Sequence, residues 1–182
     1  MKILILLITV LTTQLTLTAQ KLLTLEEGKP VLEGGLEYGY IITNEKNKSV
    51  KGEDFDRFEL QLYVRNANAC AKLYAFRRNN LGELQRNATY NIAEYTVRNA
   101  TGKRLTAKVG RVAAMPINMM VQVDASQVNG SNNNNGFVQA TIGNGIRANQ
   151  SATNNIIVIV PKGERPAVQC LTLFLEEQQG TL

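Results

Sequence analysis

The sequence predicts an all-β protein, an antiparallel β-sandwich of about eight or nine strands. Apolar and polar residues alternate in several short runs, most regularly over residues 58–65. Segments rich in Gly, Asn and Pro separate these runs, as turns do between strands. No stretch repeats apolar residues at the 3.6-residue period of an amphipathic helix. These patterns do not distinguish an immunoglobulin-like from a jelly-roll-like strand topology. The absence of tryptophan argues against an antibody-type domain.

The beginning of the chain predicts a signal peptide. Lys2 gives a basic start, residues 3–11 are almost wholly apolar, and an alanine precedes the expected cleavage point. The alternative, an uncleaved anchor, is disfavoured because a membrane span needs about 20 apolar residues. We therefore expect a leader at residues 1–20, a single domain at residues 21–176 and a polar tail at residues 177–182. The protein is then exported to the periplasm, the cell surface or the extracellular space, and the mature chain keeps no transmembrane segment.

Three strands are predicted in the first half of the domain. Residues 36–43 alternate, and residues 44–52 follow as a polar, Lys-rich loop. Residues 58–65 place four side chains toward the core and four toward solvent. The inward set is Phe58, Leu60, Leu62 and Val64, and the outward set is Glu59, Gln61, Tyr63 and Arg65. A turn at residues 66–69 leads into a returning strand at residues 70–77.

Four further strands are predicted in the middle of the chain. They occupy residues 90–97, 105–115, 117–123 and 137–142. Pro116 separates the second from the third, because proline cannot donate to a strand ladder. The last two pair as a hairpin whose long, Asn-rich tip, residues 124–136, is expected to be mobile. Residues 143–153 are expected to form a connection.

The domain is expected to end in a pair of strands that closes the sandwich. Residues 156–160 are five consecutive β-branched residues, a run typical of a central strand buried on both faces. A turn bounded by Pro161 and Pro166 leads into the partner strand at residues 167–175.

The two cysteines, Cys70 and Cys170, predict one disulfide. An exported chain meets an oxidising compartment, where cysteine pairs usually become bridged. The bridge would close a loop of about 100 residues, worth about 4.7 kcal/mol in the chain-entropy description. Two buried free thiols are the alternative.

Missing residue types exclude several functions. The chain has no histidine, which excludes Ser-His-Asp and Cys-His catalysis and imidazole metal sites. Neither cysteine belongs to a C-x-x-C pair, and no glycine-rich phosphate loop precedes a helix. Without Lys2, 19 basic and 15 acidic residues leave a net charge of +4, scattered along the chain rather than concentrated as in nucleic-acid-binding proteins. We therefore predict a protein that is not an enzyme, uses no cofactor and binds no nucleic acid.

Two groups of carboxylates are candidates for a reactive or metal site. Asp54 and Asp56, at alternate positions where a strand begins, are a weak candidate for Ca²⁺. The alternative, which we favour, is a solvated strand entry beside lysines, so no metal site is predicted. Glu94 and Asp124 would serve an acid/base enzyme, an alternative that no other sequence feature supports.

The candidate binding surface combines one tyrosine with the Asn-rich loop. Tyr63 has polar neighbours on its outward face, whereas Tyr38 and Tyr40 share a face with Leu and Ile and are expected in the core. Long loops on a rigid sandwich are common places for recognition. The residues predicted for this surface are Tyr63, Asn132, Asn133, Asn134 and Asn135.

These observations favour an exported, non-catalytic protein that works through contacts. We predict a protein-binding or assembly-subunit β-sandwich whose partner is another envelope or extracellular protein, or itself. The alternative is a carbohydrate-binding module that holds a glycan with surface tyrosines and loop asparagines. In general appearance the chain resembles the small exported β-sandwich modules of bacterial envelopes, but no motif assigns it to a specific family.

Overall fold

A computed structural model describes residues 20–74, 89–99, 109–122 and 137–173. These residues form strands and turns with no helix, in two antiparallel sheets, which confirms the predicted all-β fold. The ten described strands are β1 (Leu22–Leu25), β2 (Val31–Glu33), β3 (Leu36–Val50), β4 (Glu53–Asn66), β5 (Lys72–Tyr74), β6 (Tyr90–Arg98), β7 (Gly110–Gln122), β8 (Phe137–Ile146), β9 (Ser151–Pro161) and β10 (Ala167–Thr172). In the described part of the chain, no helix has the length and apolar character needed to cross a membrane.

The two sheets enclose one apolar core. The larger sheet has the strand order β1-β10-β6-β7-β8-β5 and the smaller one β2-β3-β4-β9, and together they curl into a half-barrel. Tyr38 and Tyr40 are buried in this core, as predicted. Further core side chains are Leu36, Phe58, Leu60, Leu62, Val64, Tyr90, Ile92, Tyr95, Val112, Val158 and Val160.

The β3–β4 hairpin is longer than the sequence predicted. Residues 44–52 were expected to be a loop, but β3 continues to Val50 and pairs with β4 throughout. Lys51 and Gly52 make the turn with φ of 52° and 83°. Positive φ at both positions suits the tight two-residue turn that matches strand twist, so the chain reverses without a loop. The predicted alternation in β4 is confirmed, with its four inward residues fully buried.

Strand β7 is continuous, so the prediction that Pro116 separates two strands is wrong. Pairing with β6 ends at Ala114, and pairing with β8 begins at Met115. Pro116 therefore stands where the strand changes partners. Because the β6 ladder has already ended there, the missing N–H leaves no gap on that side. The predicted hairpin between residues 117–123 and 137–142 is confirmed for the residues that the structure describes.

The prediction of a central strand at residues 156–160 is wrong. In the described structure β9 is the edge of the smaller sheet and pairs only with β4. Ile156, Val158 and Val160 are buried, whereas Ile157 and Ile159 are 50% and 42% exposed. The β-branched run thus conceals an ordinary alternation between a covered and an open face.

The predicted pairing of the last two strands is also wrong. β9 belongs to the smaller sheet, while β10 lies between β1 and β6 in the larger one. The turn between Pro161 and Pro166 therefore carries the chain from one sheet to the other. The connection before β9 is shorter than predicted, because β8 extends to Ile146 and β9 begins at Ser151.

The predicted Cys70–Cys170 disulfide is wrong, because both cysteines are free thiols. Cys70 is exposed in the segment that follows β4. Cys170 lies on β10 between Leu23 and Tyr95, and its side chain is buried in the core. An exposed loop and the sandwich interior do not bring two sulfur atoms into bonding contact.

Several predictions fall largely outside the described residues and stay predictions. These are the signal peptide at residues 1–20, of which only Gln20 is described, the connection before β6, the Asn-rich tip at residues 124–136 and the tail at residues 177–182.

Candidate functional site

The outward face of the smaller sheet carries Tyr63, the predicted binding residue. Its ring is half-buried, since it lies across Gly39, its partner on β3. The absence of a side chain at Gly39 makes room for the ring, and the ring covers exposed backbone in return. Burial, with a smaller contribution from Glu37, raises the pKa of the Tyr63 hydroxyl. Tyr63 is therefore partly a packing residue.

Tyr63 is also tied to the opposite sheet through its backbone. The Tyr95 hydroxyl, from β6, donates to the Tyr63 carbonyl oxygen at 2.5 Å. Tyr95 is fully buried, and this burial raises the pKa of its hydroxyl far above the ordinary range for tyrosine. A neutral Tyr95 thus holds the two sheets together beneath the Tyr63 position.

The same outward face becomes more apolar toward β9. Ile157 and Ile159 stand beside Glu59 and Arg57 of β4, which form an ion pair at 2.5 Å. On β3, two strands from the edge, Ile41 is also exposed. The face is therefore mixed, with its exposed isoleucines concentrated at the open edge.

A second surface is the part of the β7–β8 hairpin that extends past the β6 pairing. We name residues 117–122 and 137–142 the β7–β8 arm. Within the described structure the two halves of the arm pair with each other and with no third strand. Met120 and Phe137 are 62% and 55% exposed. No residue of the arm is charged.

Cross-strand pairing divides the arm into two faces, because opposed residues point to the same side of a sheet. One face is wholly apolar and begins at buried Ile117, so it continues the core outward. Its remaining members are Met119, Val121, Val138 and Ala140. The other face combines Met120 and Phe137 with amide and hydroxyl side chains, including an Asn118–Thr141 hydrogen bond at 2.8 Å. The described residues cover neither face as they cover the core.

Sequence reasoning missed the arm. The pairing of Asn118 with Thr141, and of their neighbours, agrees with the predicted hairpin. The exposure of both faces of the arm was not predicted, because it depends on which other strands of the larger sheet lie beside it. A signal was nevertheless present in three consecutive apolar residues, Met119, Met120 and Val121. Three adjacent apolar residues in a strand must place apolar groups on both faces.

The candidate calcium ligands are engaged by the turn that follows β9. Asp54 accepts a hydrogen bond from Lys162 Nζ at 2.9 Å, and this contact lowers the pKa of its carboxyl. Asp56 is buried and accepts the Gly163 backbone N–H at 2.7 Å. Among the residues the structure describes, no three His, Cys, Asp or Glu side chains gather into a metal site. The two aspartates fasten the turn to β4.

The other predicted residues do not assemble into a site within the described structure. Glu94 pairs with Arg111 on the neighbouring strand, Nε to Oε2, at 3.0 Å. Asp124, its imagined catalytic partner, lies outside the described residues, as do Asn132, Asn133, Asn134 and Asn135.

Comparison with other proteins adds no functional assignment. No family model, curated protein sequence or solved structure matches the chain.

Proposed function

We propose that this chain is an exported, non-catalytic β-sandwich that binds another protein, or serves as an assembly subunit, through the β7–β8 arm. The observation that carries the proposal is an uncharged ribbon with apolar side chains exposed on both faces. A free two-stranded ribbon is marginally stable in water. Contiguous exposed apolar surface of this kind usually marks an interaction site.

The side chains of the arm suit a protein partner. Methionine is flexible and polarizable, so Met119 and Met120 can fill irregular depressions. Phe137 offers a large aromatic group of the type that dominates interface energetics. The amides of Gln122 and Gln139 can form hydrogen bonds at the rim. Because the arm is uncharged, docking it buries no ion.

The sandwich would serve as the rigid base of the arm. The first part of β7 contributes the buried Val112 to the core, and its last part belongs to the arm. One strand therefore joins the core to the arm. The predicted leader places the partner in the cell envelope or outside the cell, and the partner is a different protein there or a second copy of this chain. The absence of histidine and the pairing of Glu94 with Arg111 favour a role without catalysis.

A photo-cross-linking experiment tests this proposal. A photoreactive residue is placed at Met120 in the full chain, in the cells that produce it, and the control position is Leu32, an exposed leucine on β2. We expect one discrete cross-linked protein from Met120 and none from Leu32. Adding Phe137→Glu, on the same face, should abolish the product. Diffuse products of equal intensity at both positions would refute the proposal.

The carbohydrate-binding alternative is supported by the surroundings of Tyr63. Gln61, Asn155 and Thr153 lie on the same outward face, and a tyrosine flanked by amides and a hydroxyl can hold a sugar ring. A glycan array probed with the wild type and with Tyr63→Ala tests this. Binding that the variant loses would support the alternative, and no binder at high protein concentration would reject it.

A further inference from the structure

We propose that the open edge of β9 pairs antiparallel with the same edge of a second copy of this chain. The two smaller sheets would then form one continuous sheet across a two-fold axis. This interface is separate from the β7–β8 arm and does not depend on it. It follows from the direction of the β9 backbone, the composition of the strand and the length of the other edges.

Backbone hydrogen bonds at both ends of β9 establish which residues face the open edge. The Asn66 N–H donates to the Gln150 carbonyl at 2.9 Å, and the Lys162 N–H donates to the Asp54 carbonyl at 3.3 Å. Both bonds continue the β4–β9 register, in which hydrogen-bonded pairs alternate with non-hydrogen-bonded ones. Even-numbered residues of β9 therefore bond to β4. Ile157 and Ile159 direct their N–H and C=O groups away from it.

This edge lacks the usual protection against strand pairing. Natural sheets shield edges with short strands, charged side chains, bulges or proline. The terminal strands β1, β2 and β5 have only 4, 3 and 3 residues, and the part of β3 beyond its pairing with β2 carries Glu45, Lys46 and Lys48. Apart from the β7–β8 arm, β9 is the described edge that has neither protection. No residue of β9 is charged, and its one proline, Pro161, is at the very end.

Among the residues that the structure describes, none pairs with the second half of this edge, whereas the first half is approached by β7. At its beginning, the Asn154 amide donates to the Arg111 carbonyl of β7 at 2.9 Å, and Gly110 lies against Ile156. Strand β7 therefore approaches the first half of β9. Residues 157–161 remain for a second copy, and they include both exposed isoleucines.

One register matches this segment to itself. With the axis through Val158, Ile157 lies opposite Ile159 of the second copy in two hydrogen-bonded pairs. Four isoleucines then meet on the outward face. On β4, Arg57 neighbours Ile159 and Glu59 neighbours Ile157, so each row of the joined sheet ends in opposite charges. A register with Ile157 opposite itself would place Ile159 against Asn155 instead.

Light scattering coupled to size exclusion, over a range of protein concentrations, tests the proposal on the full chain. We expect a wild-type dimer, which Ile157→Lys weakens by roughly 30-fold or more, the effect of losing a central interface residue. The matched control is Ile41→Lys, an identical change on the same face but two strands from the edge, and it should leave the dimer intact. Ile157→Pro is a second variant, because it deletes an N–H that β4 does not use.

Cysteine cross-linking tests the register. In a Cys70→Ser background, Ile157→Cys and Ile159→Cys should form a disulfide when mixed, since opposed residues in a hydrogen-bonded pair lie about 5.5 Å apart. Neither variant alone should do so. A wild type that is monomeric at all concentrations would overturn the proposal. So would a dimer that survives both changes at residue 157, or one that Ile41→Lys abolishes equally.

Discussion

The β3–β4 hairpin and the β7–β8 arm are both two-stranded ribbons, yet they use apolar residues differently. In β4 every apolar residue of the central run faces the core, and the opposite face carries Arg57 and Glu59. In the arm apolar residues occupy both faces and no charge is present. The first pattern is complete within the folded chain. The second leaves apolar surface that no other described residue covers.

This difference implies that folding stability and binding depend on different parts of the molecule. Burying a large aliphatic side chain contributes about 1.5–3 kcal/mol to folding. Leu60 and Leu62 are fully buried and gain this contribution, whereas Met119 and Met120 remain in water. We expect the sandwich to hold nearly all of the folding free energy, and the arm to hold the binding free energy.

The largest expected effect contrasts Leu60→Ala with Met119→Ala. Leu60→Ala leaves a cavity between the sheets and should lower the free energy of unfolding by about 2–5 kcal/mol. Met119→Ala should change it by less than about 0.5 kcal/mol, because the side chain is exposed. Urea denaturation of both variants measures the difference. Equal losses would show that the arm is packed as tightly as the core.

The next effect concerns the base of the arm, where two glycines in β8 differ. A methyl group at Gly145 would collide with the Lys72 carbonyl oxygen and with Ile117. At Gly143 it would meet only the Tyr74 carbonyl oxygen, at 3.2 Å. Gly145→Ala should therefore destabilise the protein by about 1–3 kcal/mol, and Gly143→Ala by clearly less. Thermal unfolding that ranks the two variants in the reverse order would contradict this packing.

The first loss of stability above pH 9 reports on a buried thiol of the core. Burial raises the pKa of the Cys170 thiol from 9.0 to about 12, so the folded state keeps a proton that the unfolded state loses. The contribution of Cys170 to stability is fully present below pH 9 and is lost as the pH rises toward 12. Within this window the slope should approach roughly 1.4 kcal/mol per pH unit.

Melting temperatures between pH 9 and pH 10 check this sign, because the tyrosines whose pKa is also raised begin to contribute only nearer their reference value of 10.0. They are Tyr38, Tyr40, Tyr63 and Tyr95. Cys170→Ala should flatten the slope, and Cys70→Ser should retain it. Stability that rises with pH in the wild type would contradict the buried position of Cys170.

The smallest expected effect is on the surface of the sandwich. Lys162 and Asp54 form an ion pair at 2.9 Å with both side chains more than half exposed. Lys162→Ala should leave the midpoint of chemical denaturation nearly unchanged, since solvent screens such pairs. A large shift of that midpoint to lower denaturant would mean that the turn after β9, rather than the core, holds the sheets together.

Local patterns predicted much of this fold. The alternation in β4 was recognisable because a period of two is visible within a few residues. The Lys51–Gly52 turn was missed because its first residue is a lysine with positive φ, an uncommon conformation for a residue with a side chain. The edge position of β9 was not predicted, because the apolar run that contains Ile157 and Ile159 does not show which strands lie beside it.

The errors at the candidate site have the same physical origin. The disulfide was inferred from compartment chemistry, which says nothing about which layer holds Cys70 or Cys170. The exposure of Tyr63 was overestimated because the space above Gly39 is formed by cross-strand pairing. Long-range strand pairing determines both where the two cysteines lie and how exposed Tyr63 is. A single sequence does not show which strands pair.

The most direct test of the separation between sandwich and arm is one double variant, Met119→Ser with Val121→Ser, measured for both properties. These residues share the apolar face of the arm. The free energy of unfolding should stay within about 1 kcal/mol of the wild type, while the cross-link from Met120 to its partner disappears. A loss of several kcal/mol with the cross-link retained would contradict the account, because the arm would then be part of the folding core.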